Sequence, residues 1–250
     1  MIWLALGFLL TAFLYSMAGF GGGSTYNALL VLAETDYQIL PSIALICNII
    51  VVTTGVAQFL HAKRMRLADV APLCLLSAPA AWIGSRIHVP ETLFVGLLGA
   101  TILLAGLLMF VNPASTNEAA PGRRRLALPI AIGGGIGFLS GLVGIGGGIF
   151  LAPFLHLVRW GRAQEIAGAA SFFILVNSLT GLAGQLAKLG DLEKLGALAE
   201  YWPLPLAVVG GGVVGSFLSA RRLPAGIIKK VTGVLILSVA IRLLAKTFAA

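Results

Sequence analysis

Seven runs of the chain carry no Asp, Glu, Lys or Arg: Met1 to Ala33, Tyr37 to Leu60, Val70 to Ser85, Thr92 to Asn117, Leu126 to Val158, Ile166 to Ala187 and Tyr201 to Ala220. An eighth apolar stretch, Pro224 to Leu244, holds its charges, Lys229, Lys230 and Arg242, towards its ends, where long side chains reach an interface. About 20 apolar residues in helical conformation cross a bilayer, so most of these runs predict single membrane-spanning helices. Two do not fit. Met1 to Ala33 and Leu126 to Val158 each hold 33 residues, which as continuous helix would measure about 50 Å against a hydrocarbon core of about 30 Å. Both are interrupted by glycine runs, "GFGGGS" at 19 to 24 and "GIGGGI" at 144 to 149. Glycine weakens a helix and lets the chain turn, so each run predicts a broken helix or a re-entrant hairpin.

Composition supports the membrane reading. Hydrophobic residues make up 58% and charged ones 10% of the chain, whereas a water-soluble domain carries about 25% charge. The formal net charge of +8 does not indicate nucleic acid, because the basic residues sit in short clusters between apolar runs, as topology signals do. Cys47 and Cys74 lie in apolar runs without metal-ligand or disulfide spacing. The opening "MIWLALGFLL" has no basic region or cleavage site of a signal peptide, so the N-terminus is expected to stay on the protein.

The chain repeats itself. Gly19, Gly21, Gly22 and Gly23 align with Gly144, Gly146, Gly147 and Gly148, and Ser42, Asn48 and Gly55 with Ser171, Asn177 and Gly184. Pro72, Gly84 and Ser85 match Pro203, Gly215 and Ser216, and Pro90 and Gly99 match Pro224 and Gly233. The polar segment "NPASTNEAAPGRRR" separates the copies, giving a first membrane repeat at 1–111, a basic cytoplasmic linker at 112–125 and a second membrane repeat at 126–250. Internal duplication of this kind marks transporter folds.

If each opening segment returns to its starting side, each half crosses three more times and the halves are inverted. One side then collects twelve basic residues, Lys63, Arg64, Arg66, Arg123, Arg124, Arg125, Arg159, Arg162, Arg221, Arg222, Lys229 and Lys230. The other collects five, Arg86, Lys188, Lys194, Arg242 and Lys246. Eight plain spans would sort them ten to seven, so the positive-inside rule favours inverted halves with both termini outside. The expected fold is an all-α polytopic membrane protein of two inverted repeats, each a Gly-broken re-entrant or discontinuous helix pair followed by three transmembrane helices.

Irregular backbone at membrane depth persists only where protein buries it or where it lines a wet cavity. Two inverted breaks meeting near the midplane would form a small polar pocket, and helix N-termini there would attract an anion through their free N–H groups. The candidate substrate-binding residues are Gly21, Gly22, Gly23, Ser24, Thr25, Asn27 and Asn48 from the first half, and Gly146, Gly147, Gly148 and Asn177 from the second. "STYNALLVL" offers polar donors after the first break, whereas "IFLAPFLHL" after the second is apolar. The first half is therefore expected to hold more of the substrate's charge. Isolated glycines such as Gly96, Gly99 and Gly106 read as helix-packing positions, as do Ser42, Ser171, Gln58 and Gln185. Asn48 and Asn177 stand equally for helix-bridging and for substrate contact.

Other signatures fail. Neither glycine run completes GxGxxG after a strand, and no GK[ST] follows either, so neither dinucleotide binding nor ATP hydrolysis is indicated. "GFLSG" at 137 to 141 with His156 is an inexact nucleophile signature, read as packing. His61 and His88 fall at span ends. No cofactor and no metal site is expected. Every Asp and Glu lies in a loop or at a span end, so a membrane carboxylate for proton exchange is lacking and His156 is the one titratable histidine within a span.

"GFGGGSTYNALLVL", "GLVGIGGGIFLAPFLHL", the spans carrying Asn48 and Asn177 and the basic mid-chain linker together resemble the sulfite exporter TauE/SafE family of bacterial membrane permeases, over nearly the whole chain. The resemblance implies a multi-pass protein of the bacterial inner membrane, a secondary transporter that exports sulfite, organosulfonates or related small sulfur-containing anions by alternating access. It also implies a small anionic substrate and the lipid bilayer as partners, no nucleic acid, and a homo-oligomer as an open question. The alternatives are a passive anion channel, an intramembrane enzyme or a membrane assembly partner.

Overall fold

The computed structural model describes residues 1–18, 20–110, 127–190, 192–219, 237 and 241. The expected linker at 112–125, nearly all of the span at 224–244, Gly19 and the matched Pro224 and Gly233 lie outside these. Among the described residues all regular structure is helical.

Each 33-residue run folds as a long and a short helix. In the first half these are α1 (Ile2–Ala18) and α2 (Gly23–Leu32). Next come α3 (Leu40–His61), α4 (Leu67–Val70), a 3₁₀ turn (Ala71–Leu73), α5 (Cys74–Arg86) and α6 (Glu91–Phe110). The second half supplies α7 (Ala127–Val143), α8 (Gly148–Leu157), α9 (Ala163–Leu189), α10 (Leu192–Ala199) and α11 (Pro203–Ser219). The glycine-broken pairs have identical dimensions, 17 and 10 residues in each half. A 10-residue helix is about 15 Å long, half a hydrocarbon core.

Contacts between α1 and α2 show that the chain doubles back at the break. Phe8 stacks on Tyr26 with ring centroids 4.6 Å apart, the Tyr15 and Thr25 hydroxyls are 2.9 Å apart, and a β-carbon on Gly7 would lie 3.0 Å from Leu29. Sequence separation shrinks as the break is approached, which is the signature of a hairpin rather than of one bent rod. In the second half Gly147 packs in the same way against Ile136 and Ser140 of α7.

The halves interlock. α1 packs on α11 and α7 on α5, so each hairpin's long arm rests on a helix of the other half, while α3 and α9 pack together at the centre. The matched glycines Gly84 and Gly215 make these crossings possible: a side chain on Gly84 would strike the Phe138 carbonyl, and one on Gly215 the Phe13 carbonyl. Small residues at crossings let membrane helices approach to backbone contact. The same holds for "GFLSG", whose Gly137 and Gly141 lie against the backbone of Ser77 and Ala81, so this segment packs helices.

Two local features depart from the hydropathy pattern. The run beginning at Val70 is not one helix, because Pro72 lacks an N–H and sits in the 3₁₀ turn between α4 and α5. The charged segment after Lys188 is not a simple loop; it folds as α10, where Leu195 and Leu198 sit at helical spacing and Leu198 packs on the main core.

Four stretches among the described residues are long and apolar enough to cross a membrane: Leu40–His61, Leu67–Arg86, Gln164–Leu189 and Lys194–Gly215. Shorter apolar helices cover Ile2–Met17, Glu91–Leu104, Leu128–Val143 and Gly148–Leu157. Large apolar side chains face outward, among them Ile2, Leu75, Leu157 and Trp202, as lipid-facing positions of a multi-pass protein do. Glu91 and Glu165 lie in first helical turns and Glu200 between α10 and α11, so these carboxylates stay at helix ends.

The glycine breaks as a candidate functional site

The short helices begin at left-handed residues. Gly22 has φ 105° and ψ 3°, and Gly147 has φ 80° and ψ −17°; each is the N-cap of the 10-residue helix that follows. An L-residue in this conformation is strained by about 1–2 kcal/mol, which accounts for glycine at both positions. Neither helix start is capped by a side chain. The first helical hydrogen bond of α2 runs from the Tyr26 N–H to the Gly22 carbonyl, 2.9 Å, so the N–H groups of Gly23, Ser24 and Thr25 have no intrahelical acceptor.

Both breaks converge on Asn48. Its amide Nδ2 donates to the Ile145 carbonyl in the second break, 3.0 Å away and 97 residues along the chain. β-carbons on Gly21 and Gly23 would collide with the same amide, and one on Gly146 would lie 2.9 Å from its Nδ2. The start of α2 also meets the second break directly, since a β-carbon on Gly23 would come within 2.7 Å of the Ile145 carbonyl oxygen. Ile174 of α9 closes the cluster against Gly21, Gly146 and Gly148. Gly22 and Gly147 are placed differently: they face Thr11 and Tyr26, and Ile136 and Phe173, so they shape the turns while Gly21, Gly23 and Gly146 make the close approach.

The remaining polar candidates divide between holding the fold and facing no partner. Thr25 is paired with Tyr15, and the Asn27 amide donates to the Val143 carbonyl at 2.7 Å, tying the α2 start to the end of α7. Ser24 is buried beside them. Asn177 is completely buried, and neither its Oδ1 nor its Nδ2 has a hydrogen-bond partner among the described residues. The same is true of Asn48 Oδ1, Asn27 Oδ1 and the hydroxyls of Ser140 and Ser178. A buried polar group without a partner costs about 1–3 kcal/mol, so the concentration of Asn48, Asn27, Ser140 and Ser178 beside the helix starts marks a candidate site, while among the described residues no side-chain hydrogen bond ties Asn177 to either break.

Ser178 is a member that sequence reasoning overlooked. Its Oγ would lie 3.1 Å from a β-carbon on Gly146, and Ile174, Ser178, Gly181 and Gln185 form one stripe of α9 at helical spacing, which the sequence pattern could have shown. Gln185 donates to the Gly141 carbonyl at 3.1 Å and so ties α9 to α7. Tyr15, Ile145 and Ile174 carry no sequence signal of their own. The cluster has no charged side chain; it offers amides, hydroxyls and helix-start N–H groups, a set suited to a small polar or anionic solute.

Apolar helices of spanning length, outward apolar side chains and paired glycine breaks that bury a polar cluster define a multi-pass membrane protein of the transporter class. The chain belongs to the sulfite exporter TauE/SafE family, whose model matches residues 3–243. It is 30% identical over 246 residues to the probable membrane transporter protein y4hK of Sinorhizobium fredii, covering 97% of this chain and 98% of that one. It is 29% identical over 230 residues to the probable membrane transporter protein YjnA of Bacillus subtilis, covering 84% and 87% of the two chains. YunE of Bacillus subtilis, also a probable membrane transporter protein, is 24% identical over 211 residues, 74% of this chain and 77% of the relative. No solved structure matches. The protein is a membrane transporter.

Proposed function

We propose that this transporter exports small sulfur oxyanions, sulfite or organosulfonates, across the bacterial cytoplasmic membrane. Its two membrane repeats, 1–111 and 126–250, are inverted, each opens with a re-entrant hairpin, and both termini face outward. The observation that carries the reading is the convergence on Asn48 of two glycine-capped half-length helices, with the buried hydroxyls of Ser140 and Ser178, unpartnered among the described residues, against the second break. Helix N-termini compensate an anion's charge without a fixed cation, which lets the anion leave as readily as it enters. Gly21, Gly23, Asn48 and Gly146 form the close-approach face; Asn177 and Ser178 supply further donors; Ser24, Thr25 and Asn27 fix the start of α2.

Burial supports alternating access as the mode of transport. Asn48, Asn177 and Ser178 have no solvent-exposed surface, so a solute reaches them only if helices around them part. The helices available to move are the interlocked pairs, each of which joins one half to the other. Reconstitution into liposomes tests the reading: sulfite or methanesulfonate efflux should saturate with concentration and show counterflow. Flux that rises linearly with concentration and shows no counterflow would make the protein a channel, and absence of flux for every sulfur oxyanion would remove the substrate assignment.

A further inference from the structure

The structure holds a second polar concavity, apart from the breaks. A cleft of about 170 Å³ lies where the turn before α3 meets the end of α9 and the start of α10, enough for several waters or a small hydrated ion. Lys188, Lys194, His88, Tyr37 and Gln38 line it over a floor that includes Pro41, and among the described residues no carboxylate lines it. Lys188 is half-buried at the last turn of α9. Lys194 is held in place by donating to Gln38 Oε1, and Tyr37 is fixed by its contact with Phe94. Two cations on different helices therefore face one recess.

The cleft is coupled to the breaks through its floor. Pro41 packs against Gly144, the first glycine of the second break, where a β-carbon would lie 2.7 Å from Pro41 Cβ. From Pro41 the helix α3 runs seven residues to Asn48, about 10 Å along its axis. Lys188 and Lys194 also belong to the side of the membrane that the charge pattern leaves poor in cations, five against twelve, so their convergence on one recess is not explained by the positive-inside bias.

We propose that this cleft is an anion vestibule, a second and weaker site at which Lys188 and Lys194 concentrate a small dissolved sulfur oxyanion between the outer solution and the glycine-break site. The proposal rests on the export reading for the identity of its anion, but its electrostatics can be measured without transport. Cations lining a recess raise the local concentration of anions and lower that of cations.

The test places a reporter thiol at His88→Cys, an exposed lining position that leaves both lysines intact, in purified protein in detergent. Native Cys47 and Cys74 are buried, and their background reactivity is subtracted using the unsubstituted protein. A sulfonate-bearing methanethiosulfonate and its trimethylammonium analogue are compared at low salt. The anionic-to-cationic rate ratio should fall about tenfold when Lys188→Gln is added, fall similarly with Lys194→Gln, and shrink in high salt. Methanesulfonate should slow labelling of the protein with both lysines. An unchanged ratio in both lysine variants overturns the vestibule; protection by phosphatidylglycerol alone makes the cleft a lipid-headgroup site and overturns it too. In liposomes, Lys188→Gln with Lys194→Gln should raise the half-saturating outer anion concentration several-fold at unchanged maximal flux. Absence of any sulfur-oxyanion flux in the unsubstituted protein would refute the export reading, while the labelling ratio would still decide for or against the vestibule.

Discussion

Gly21→Ala isolates the contact between the breaks, because its backbone is not in the left-handed region and the added methyl meets only side chains: Asn48 Oδ1 and Cγ, and Ile174 Cγ2 at 3.3 Å. The methyl and Asn48 Oδ1 cannot share their space, so the amide must rotate or the helices must part. Overpacking of this kind costs about 1–3 kcal/mol. Rotating the amide also gives up its 3.0 Å bond to the Ile145 carbonyl, and a buried carbonyl left without a donor adds about 1–3 kcal/mol. Gly21→Ala alone should therefore destabilise the protein by about 2–6 kcal/mol. Asn48→Ala carries its own loss of the Ile145 bond but opens the space that the Gly21 methyl needs. Adding Gly21→Ala to it should cost under about 1 kcal/mol, a coupling of about 1 kcal/mol or more in a double-mutant cycle. Denaturant titration of the four purified proteins in detergent measures the cycle. Equal costs for Gly21→Ala in the two backgrounds would refute the packing of the first break against Asn48. Flux in the double variant should stay low even where stability returns, if the amide contacts substrate as proposed.

Further outcomes follow from the same geometry. Gly22→Leu and Gly147→Leu should each abolish transport with membrane insertion retained, because φ of 105° and 80° strains any L-residue there and a side chain meets Thr11 and Tyr26 or Ile136 and Phe173; flux comparable with that of Gly99→Leu would show that the turns are dispensable. Asn177→Ala, which removes an amide without a partner among the described residues, should leave stability unchanged or raised and increase the half-saturating anion concentration; a destabilised protein with unaltered affinity would make Asn177 structural. A reporter fused at Ala250 should be active only outside the cytoplasm, and cytoplasmic activity would reject the inverted topology. Efflux should quicken under an inside-negative diffusion potential, worth about 2.3 kcal/mol per charge per 100 mV, and persist without a pH gradient; flux that ignores the potential, follows the pH gradient and loses that dependence in His156→Ala would indicate proton coupling.

The membrane class and the two breaks were legible in the sequence because their causes are local. A 33-residue apolar run cannot fit a bilayer as one helix, and a glycine run supplies the turn, so the 17- and 10-residue arms of both hairpins follow from length and residue type. The repeat matched Gly84 with Gly215, but that both sit at helix crossings came from the structure. The α10 helix was hidden because its charges masked a short apolar stripe, and the interruption at Pro72 because hydropathy ignores the missing N–H.

Only the tertiary structure decided which polar groups are taken up by partners in the fold and which are left open. Asn48 and Asn177 are equivalent in the repeat, yet one amide bridges the two breaks and the other has no partner among the described residues. Thr25 and Asn27, equally polar in the sequence, are taken up by Tyr15 and by the Val143 carbonyl. The Asn48 and Asn27 assignments rest on contacts of about 3 Å between segments 97 and 116 residues apart, and hydrogen-bond strength falls steeply with distance and angle. The repeat fixes the residue pattern that both halves share, and the contacts each segment makes after folding determine where each side chain finds a partner.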